Sequence, residues 1–125
     1  MPLAFGVTTF FVLSAIIGAL QVYDGLLMCA DSRPRPAMMV VSTIEFVWLI
    51  VSIFWIVDWQ GQPWRWVPLS YVGYNFAWWT YFLCVRPQIP DDPREFSIPK
   101  WWGMLSAAFG VYFAVVSVVA ATAFA

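Results

Sequence analysis

The chain has 125 residues, 62% hydrophobic, 20% aromatic and 10% charged, with a mean hydropathy of +0.77. Soluble domains carry about 25% charged residues, so an ordinary water-soluble domain is excluded, and a net charge of -1 offers no electrostatic basis for holding nucleic acid. The absence of histidine removes the commonest ligand for haem, zinc and copper, and Cys29 and Cys84 form no CxxC pair, so no metal and no cofactor is expected.

The first apolar run, 3–30, has no positive residue before it and is about twice the length of a signal-peptide core. It is read as a retained first span. Ser14, Gly18, Gln21 and Gly25 recur at spacings of four, three and four. That puts them on one helical stripe, and small residues there let another backbone approach closely in lipid. Asp31 to Pro36, DSRPRP, is a short polar turn whose prolines end the helix and force a hairpin.

The second span, 37–57, carries an acid well inside it. At about 1.5 Å per residue Glu45 lies roughly 12 Å below the start of the run, where a charge costs on the order of 2.5 to 3.5 kcal/mol. Ser42, Glu45, Leu49 and Ser52 fall at three, four and three, so the acid is expected on an inward face with two hydroxyls. The connection Asp58 to Pro68 holds Trp59, Trp64 and Trp66, the composition of an interfacial aromatic belt.

The third span, 67–85, presents two faces. Ser70, Gly73, Ala77, Thr80 and Cys84 form a small stripe expected to pack closely, whereas Tyr71, Asn75, Trp78, Trp79 and Phe82 form a bulky one expected to fill volume or line a cavity. Arg86 to Lys100 contains Pro87, Pro90, Pro93 and Pro99, which favours a stiff extended connector. The fourth span, 101–125, opens on the anchor pair Trp101 and Trp102. Within it Gly103, Ala107, Gly110, Ala114, Ser117 and Ala121 repeat at four, three, four, three and four, in strict heptad register. Such a run marks a tight helix interface, and the first span, running the opposite way with its own stripe, is the expected partner.

The expected fold is therefore an all-α integral membrane protein, a single domain over 1–125 with four transmembrane helices in an up-down-up-down bundle and short loops. The first and third connections hold Arg33, Arg35, Arg86, Arg94 and Lys100 against Arg65 alone on the other side. The positive-inside rule places loops 31–36 and 86–100 in the cytoplasm and both termini outside. A bacterial inner membrane, or an equivalent energy-coupling membrane, is the expected location.

With that topology Asp24 and Glu45 sit at matching depth, roughly 9 to 12 Å in, on adjacent antiparallel helices. Two carboxyls that close cannot both ionise cheaply, so at least one is expected to keep its proton near pH 7. Gln21, Ser42, Asn75, Trp78, Trp79 and Ser106 come at comparable depth and complete a candidate polar site, in which carboxylates supply charge and indole faces cation–π attraction. The same groups could also serve only as packing glue between helices.

Three functions are compatible with these residues. The first is a non-catalytic accessory or structural subunit of a larger membrane complex, whose partners are lipids and either other membrane subunits or further copies of itself. The second is a small homo-oligomeric transporter that exchanges a proton on Glu45 or Asp24 for a cationic or lipophilic solute. In size and span number the chain resembles the small multidrug resistance family, from which its five-to-one charge bias departs. The third is a membrane isomerase or cyclase using a protonated carboxylic acid and an aromatic-lined pocket. Association, without catalysis, is the reading expected from the span-four stripe.

Overall fold

A computed structural model describes residues 6–30, 36–58, 63–85 and 100–124, and among them the chain is all helical. Helix α1 spans Val7–Ala30, α2 Pro36–Asp58, α3 Trp66–Val85 and α4 Lys100–Phe124. Three of these, α1, α2 and α4, contain stretches long and apolar enough to cross a membrane. Helix α3 is set apart by the hydroxyls and amide of Ser70, Tyr71, Tyr74, Asn75, Thr80 and Tyr81, which dilute its apolar character. The DSRPRP turn up to Arg35, Trp59 and the proline-rich connector 86–99 lie outside the described residues. Pro36 starts α2 instead of merely ending α1, because its missing N–H falls where a helix has no internal partner for one.

The closest packing in the molecule joins α1 to α4. A Cβ placed on Gly18 would stand 2.6 Å from the Ala114 nitrogen, and one on Gly25 would stand 2.5 Å from that of Ala107. From the other side, Cβ atoms on Gly110 and Gly103 would meet the carbonyl oxygens of Gly18 and Gly25 at 2.7 and 2.8 Å. The contacts are backbone against backbone, at separations that only a glycine permits. Thr8 Oγ1 closes one end by donating to the Phe124 carbonyl at 3.2 Å. Lipid tails are as apolar as leucine, so close van der Waals approach of this kind is what holds helices together in a bilayer.

The other neighbours meet through side chains. Phe10 of α1 stacks on Trp48 and Trp55 of α2 at 5.3 and 4.3 Å, and the buried Trp48 Nε1 donates to Ser14 Oγ at 3.1 Å. Tyr71 Oη of α3 donates to the Glu45 carbonyl at 3.0 Å. Arg65, just before α3, donates from Nε to the Ile56 carbonyl at 3.0 Å, satisfying one of the acceptors that the end of α2 leaves free. Against α4, Tyr74 stacks on Phe109 at 4.1 Å and Tyr71 on Phe113 at 4.7 Å. In every pair residue numbers rise on one helix as they fall on the other, so neighbours are antiparallel. Among the described residues the backbones of α1 and α3 stay apart, as do those of α2 and α4.

Two expectations are corrected. The small stripe of α3 does not pack closely: Gly73, Ala77, Thr80 and Cys84 are exposed, and a Cβ on Gly73 would meet nothing within 4 Å. The bulky face turns inward instead, since Tyr71 and Tyr74 gain far more contact against Phe109 and Phe113 than small residues would. On α2, Leu49 and Ser52 are buried and Glu45 is half-buried, but Ser42 is exposed. Helix α2 leans on its neighbours through Trp48 and Trp55, and Ser42 falls to the side of the buried Val41.

Candidate functional site

The core splits into two apolar clusters. The larger is built on Phe10, Phe11, Trp48, Trp55, Tyr71 and Phe113, and the smaller on Met28 and Trp102 with Trp78, Tyr81 and Phe82 against them. Between them, at the level where α1 carries Gln21 and Asp24 and α2 carries Glu45, lies a cavity of about 100 Å³. The gap has a local cause. The larger cluster ends with the last of its stacked rings, and the residues that follow on α1, α2 and α4 at this level are an amide, two acids and a serine.

All eight residues of the candidate polar site line this cavity. From α1, Gln21 and Asp24 project into it with exposures of only 4% and 2%. From α4, Ser106 is fully buried, its Oγ 2.8 Å from Tyr74 Oη. From α3, Asn75 spends its Nδ2 on the Tyr71 carbonyl of its own helix at 2.8 Å, while Trp78 stands half-buried at the wall. Ser42 and Trp79 are exposed and stand at the mouth, which opens sideways between α2 and α3 beside Phe46. Met28, Phe46 and Tyr74 complete the lining and were missed in the sequence. Tyr74 alone left a signal, since it follows Tyr71 by three residues and so shares its face.

The electrostatics are unbalanced. Asp24 Oδ1 and Glu45 Oε1 are both buried and make no hydrogen bond within the described residues. Among the described residues no arginine or lysine lines the cavity. A carboxylate oxygen buried without a partner is costly on any transfer scale, and here two face one small space. Among the described residues no group of acids and cysteines is arranged to hold a metal ion.

Compared with protein-family models, curated proteins and solved structures, the chain matches none. The site therefore stands on its chemistry. Two acids, two amides, three hydroxyls and two indoles around a space for a few water molecules, each taking about 30 Å³ in the liquid, can accept hydrogen bonds and neutralise positive charge. They supply neither a nucleophile with an adjacent base nor a phosphate-binding loop.

The interface residues are also accounted for. Gly103, Ala107, Gly110 and Ala114 lie directly against Gly18, Gly25 and their neighbours. Ser14, Ser117 and Ala121 are buried, Ser14 as the acceptor for Trp48. The span-four stripe is thus covered by α1 of the same chain.

Proposed function

We propose that the protein is a membrane carrier that binds a small organic cation at Asp24 and Glu45 in exchange for a proton. The observation that carries this reading is the Asp24 carboxyl, 2% exposed, with an oxygen that no group among the described residues satisfies, facing a cavity to which those residues bring a second acid and no base. A bound ammonium would supply the missing donors, and the faces of Trp78 and Trp79 would add cation–π attraction of about 0.5 to 2 kcal/mol each. On binding, the ammonium pairs with a carboxylate and the proton that the acid held leaves to solvent, so charge within the membrane is conserved.

The same reading takes α3 as a fourth crossing, because it runs antiparallel to α2 and α4 and is flanked by both. The protein is then an up-down-up-down bundle with both termini outside, loops 31–36 and 86–100 in the cytoplasm, and the cavity nearer the cytoplasmic face. Association with other subunits drew its main support from the small stripe of α4. That stripe is spent on α1, which favours a self-sufficient unit.

The test is binding of ethylammonium to the purified chain in lipid nanodiscs, followed by calorimetry and with a pH indicator. About one proton released per cation, lost together with binding in Asp24→Asn, is the expected result. The titratable groups facing the site are Asp24, Glu45 and Tyr74. Because the cation requires an ionised carboxylate, affinity rises with pH, by at most about tenfold per unit where one proton is displaced. Binding that ignores pH, or a stoichiometric partner that co-purifies from native membranes and without which no cation binds, would defeat the proposal. Ligand recovered chemically altered would point to the isomerase alternative.

A further inference from the structure

A second hollow, of about 220 Å³, opens between α3 and α4. Its walls are almost wholly apolar and come from Ala77, Tyr81, Trp101, Trp102 and Leu105. Two further residues line it, Tyr74 and Trp78, and both also line the acid cavity. The two hollows are therefore neighbours that share the walls made by these two residues. The partition is the Tyr74–Ser106 hydrogen bond and the Trp78 ring, which rests tilted on Trp102 at 5.1 Å.

The two spaces differ in what they accept. An apolar cavity of about 150 Å³ takes a benzene molecule, so the groove has room for one aromatic ring, whereas the acid cavity, at about 100 Å³, has room only for a head group. We propose that together they form one site for an arylalkylamine, with its ammonium against Asp24 and Glu45, its short alkyl link passing the Trp78 ring, and its aromatic ring seated among Tyr81, Trp101 and Trp102. This rests on the cation reading above and names the class of cation. Charge complementarity fixes the head, and the continuity of the walls at Tyr74 and Trp78 fixes where the ring goes. A lipid acyl chain alone would fill the groove but leave both acids unanswered.

The proposal separates head from ring, and so can its test. Methylammonium and 4-phenylbutylammonium are titrated against the nanodisc-embedded chain and three variants. In the unaltered chain the phenyl compound binds about tenfold tighter or better, the return expected for burying a ring. Ala77→Trp, which plugs the groove from an exposed position on α3, brings the two affinities together while leaving methylammonium unchanged. Leu105→Trp, from the α4 side, does the same and serves as the control should Ala77→Trp disturb the fold. Asp24→Asn abolishes binding of both compounds. If the phenyl advantage survives both plugs, the ring lies elsewhere and the inference fails, although the cation reading stands. If methylammonium does not bind, or binds equally well to Asp24→Asn, the cation reading fails and the inference falls with it.

Discussion

At the scale of single residues, the polar groups of this protein divide into those whose hydrogen bonds are made within the chain and those whose bonds are not. Trp48 Nε1 and Ser14 Oγ satisfy each other in the buried α1–α2 contact. Hydrogen bonds between membrane helices average about 0.6 kcal/mol and reach about 1.7, so Ser14→Ala should lower stability by that order. Unfolding of the detergent-solubilised protein by a denaturing detergent would measure it, and Trp48→Phe should cost no less, since it removes ring area as well. Asp24 is the opposite case, a buried acid with an unmatched oxygen. Asp24→Asn should therefore abolish cation binding while leaving stability unchanged or improved, because a neutral amide is buried without the cost of first neutralising an acid that is ionised in water. A folded, more stable and inactive variant is the expected combination, read by pairing the same unfolding assay with calorimetry. Trp64 adopts a positive φ of 69°, which bulky residues seldom do. That turn directs Arg65 back onto the end of α2.

At the scale of helices, two glycines of the same chemical type are expected to behave oppositely. A Cβ on Gly110 would collide with the backbone of Gly18 and Val22 at 2.7 Å. Gly110→Ala should force α1 and α4 apart and cost about 1 to 3 kcal/mol, the usual penalty for overpacking. Gly73 faces open space, so Gly73→Ala should be neutral or gain up to about 1 kcal/mol from helix propensity. Equal effects at the two positions, in one unfolding series, would contradict the packing described. The α1–α4 stripe was legible because a heptad run of six small residues has few uses other than close approach. The α3 stripe, equally regular, was not. Periodicity shows that residues share a face, but the direction that face points depends on what the neighbouring helices offer, and here they offer aromatic rings.

At the scale of the whole molecule, α1 and α4 form a pair joined by backbone contact, and α2 and α3 attach to it through rings and a few hydrogen bonds. The acid cavity lies where these two modes of packing meet, and its mouth falls between the two more loosely attached helices. If the protein is the carrier proposed above, its solute passes this mouth, so cross-linking α2 to α3 near Ser42 and Trp79 through introduced cysteines should stop transport while preserving binding of a cation already inside. Orientation is open to direct test. An alkaline phosphatase fused after Ala125 should be active, and one inserted within 86–100 inactive, if the Lys and Arg count decides the topology. The reverse pattern would turn the molecule over and move the cavity to the other face.

The sequence by itself determined that the protein is helical and apolar, that its last and first helices meet along small residues, and that Asp24, Glu45 and their polar companions lie at one level. Each of these follows from one-dimensional regularities: run length, spacing along a helix, and depth from the end of a span. Only the tertiary structure decided which side of α3 turns inward, that Ser42 stands at a mouth and not in the interior, and that Tyr74, Met28 and Phe46 share the cavity. The reason is that a cavity is what remains after large side chains have found their best contacts. The positions of Trp48, Trp55, Tyr71 and Phe109 against one another depend on all four helices at once, and no spacing along one of them records it.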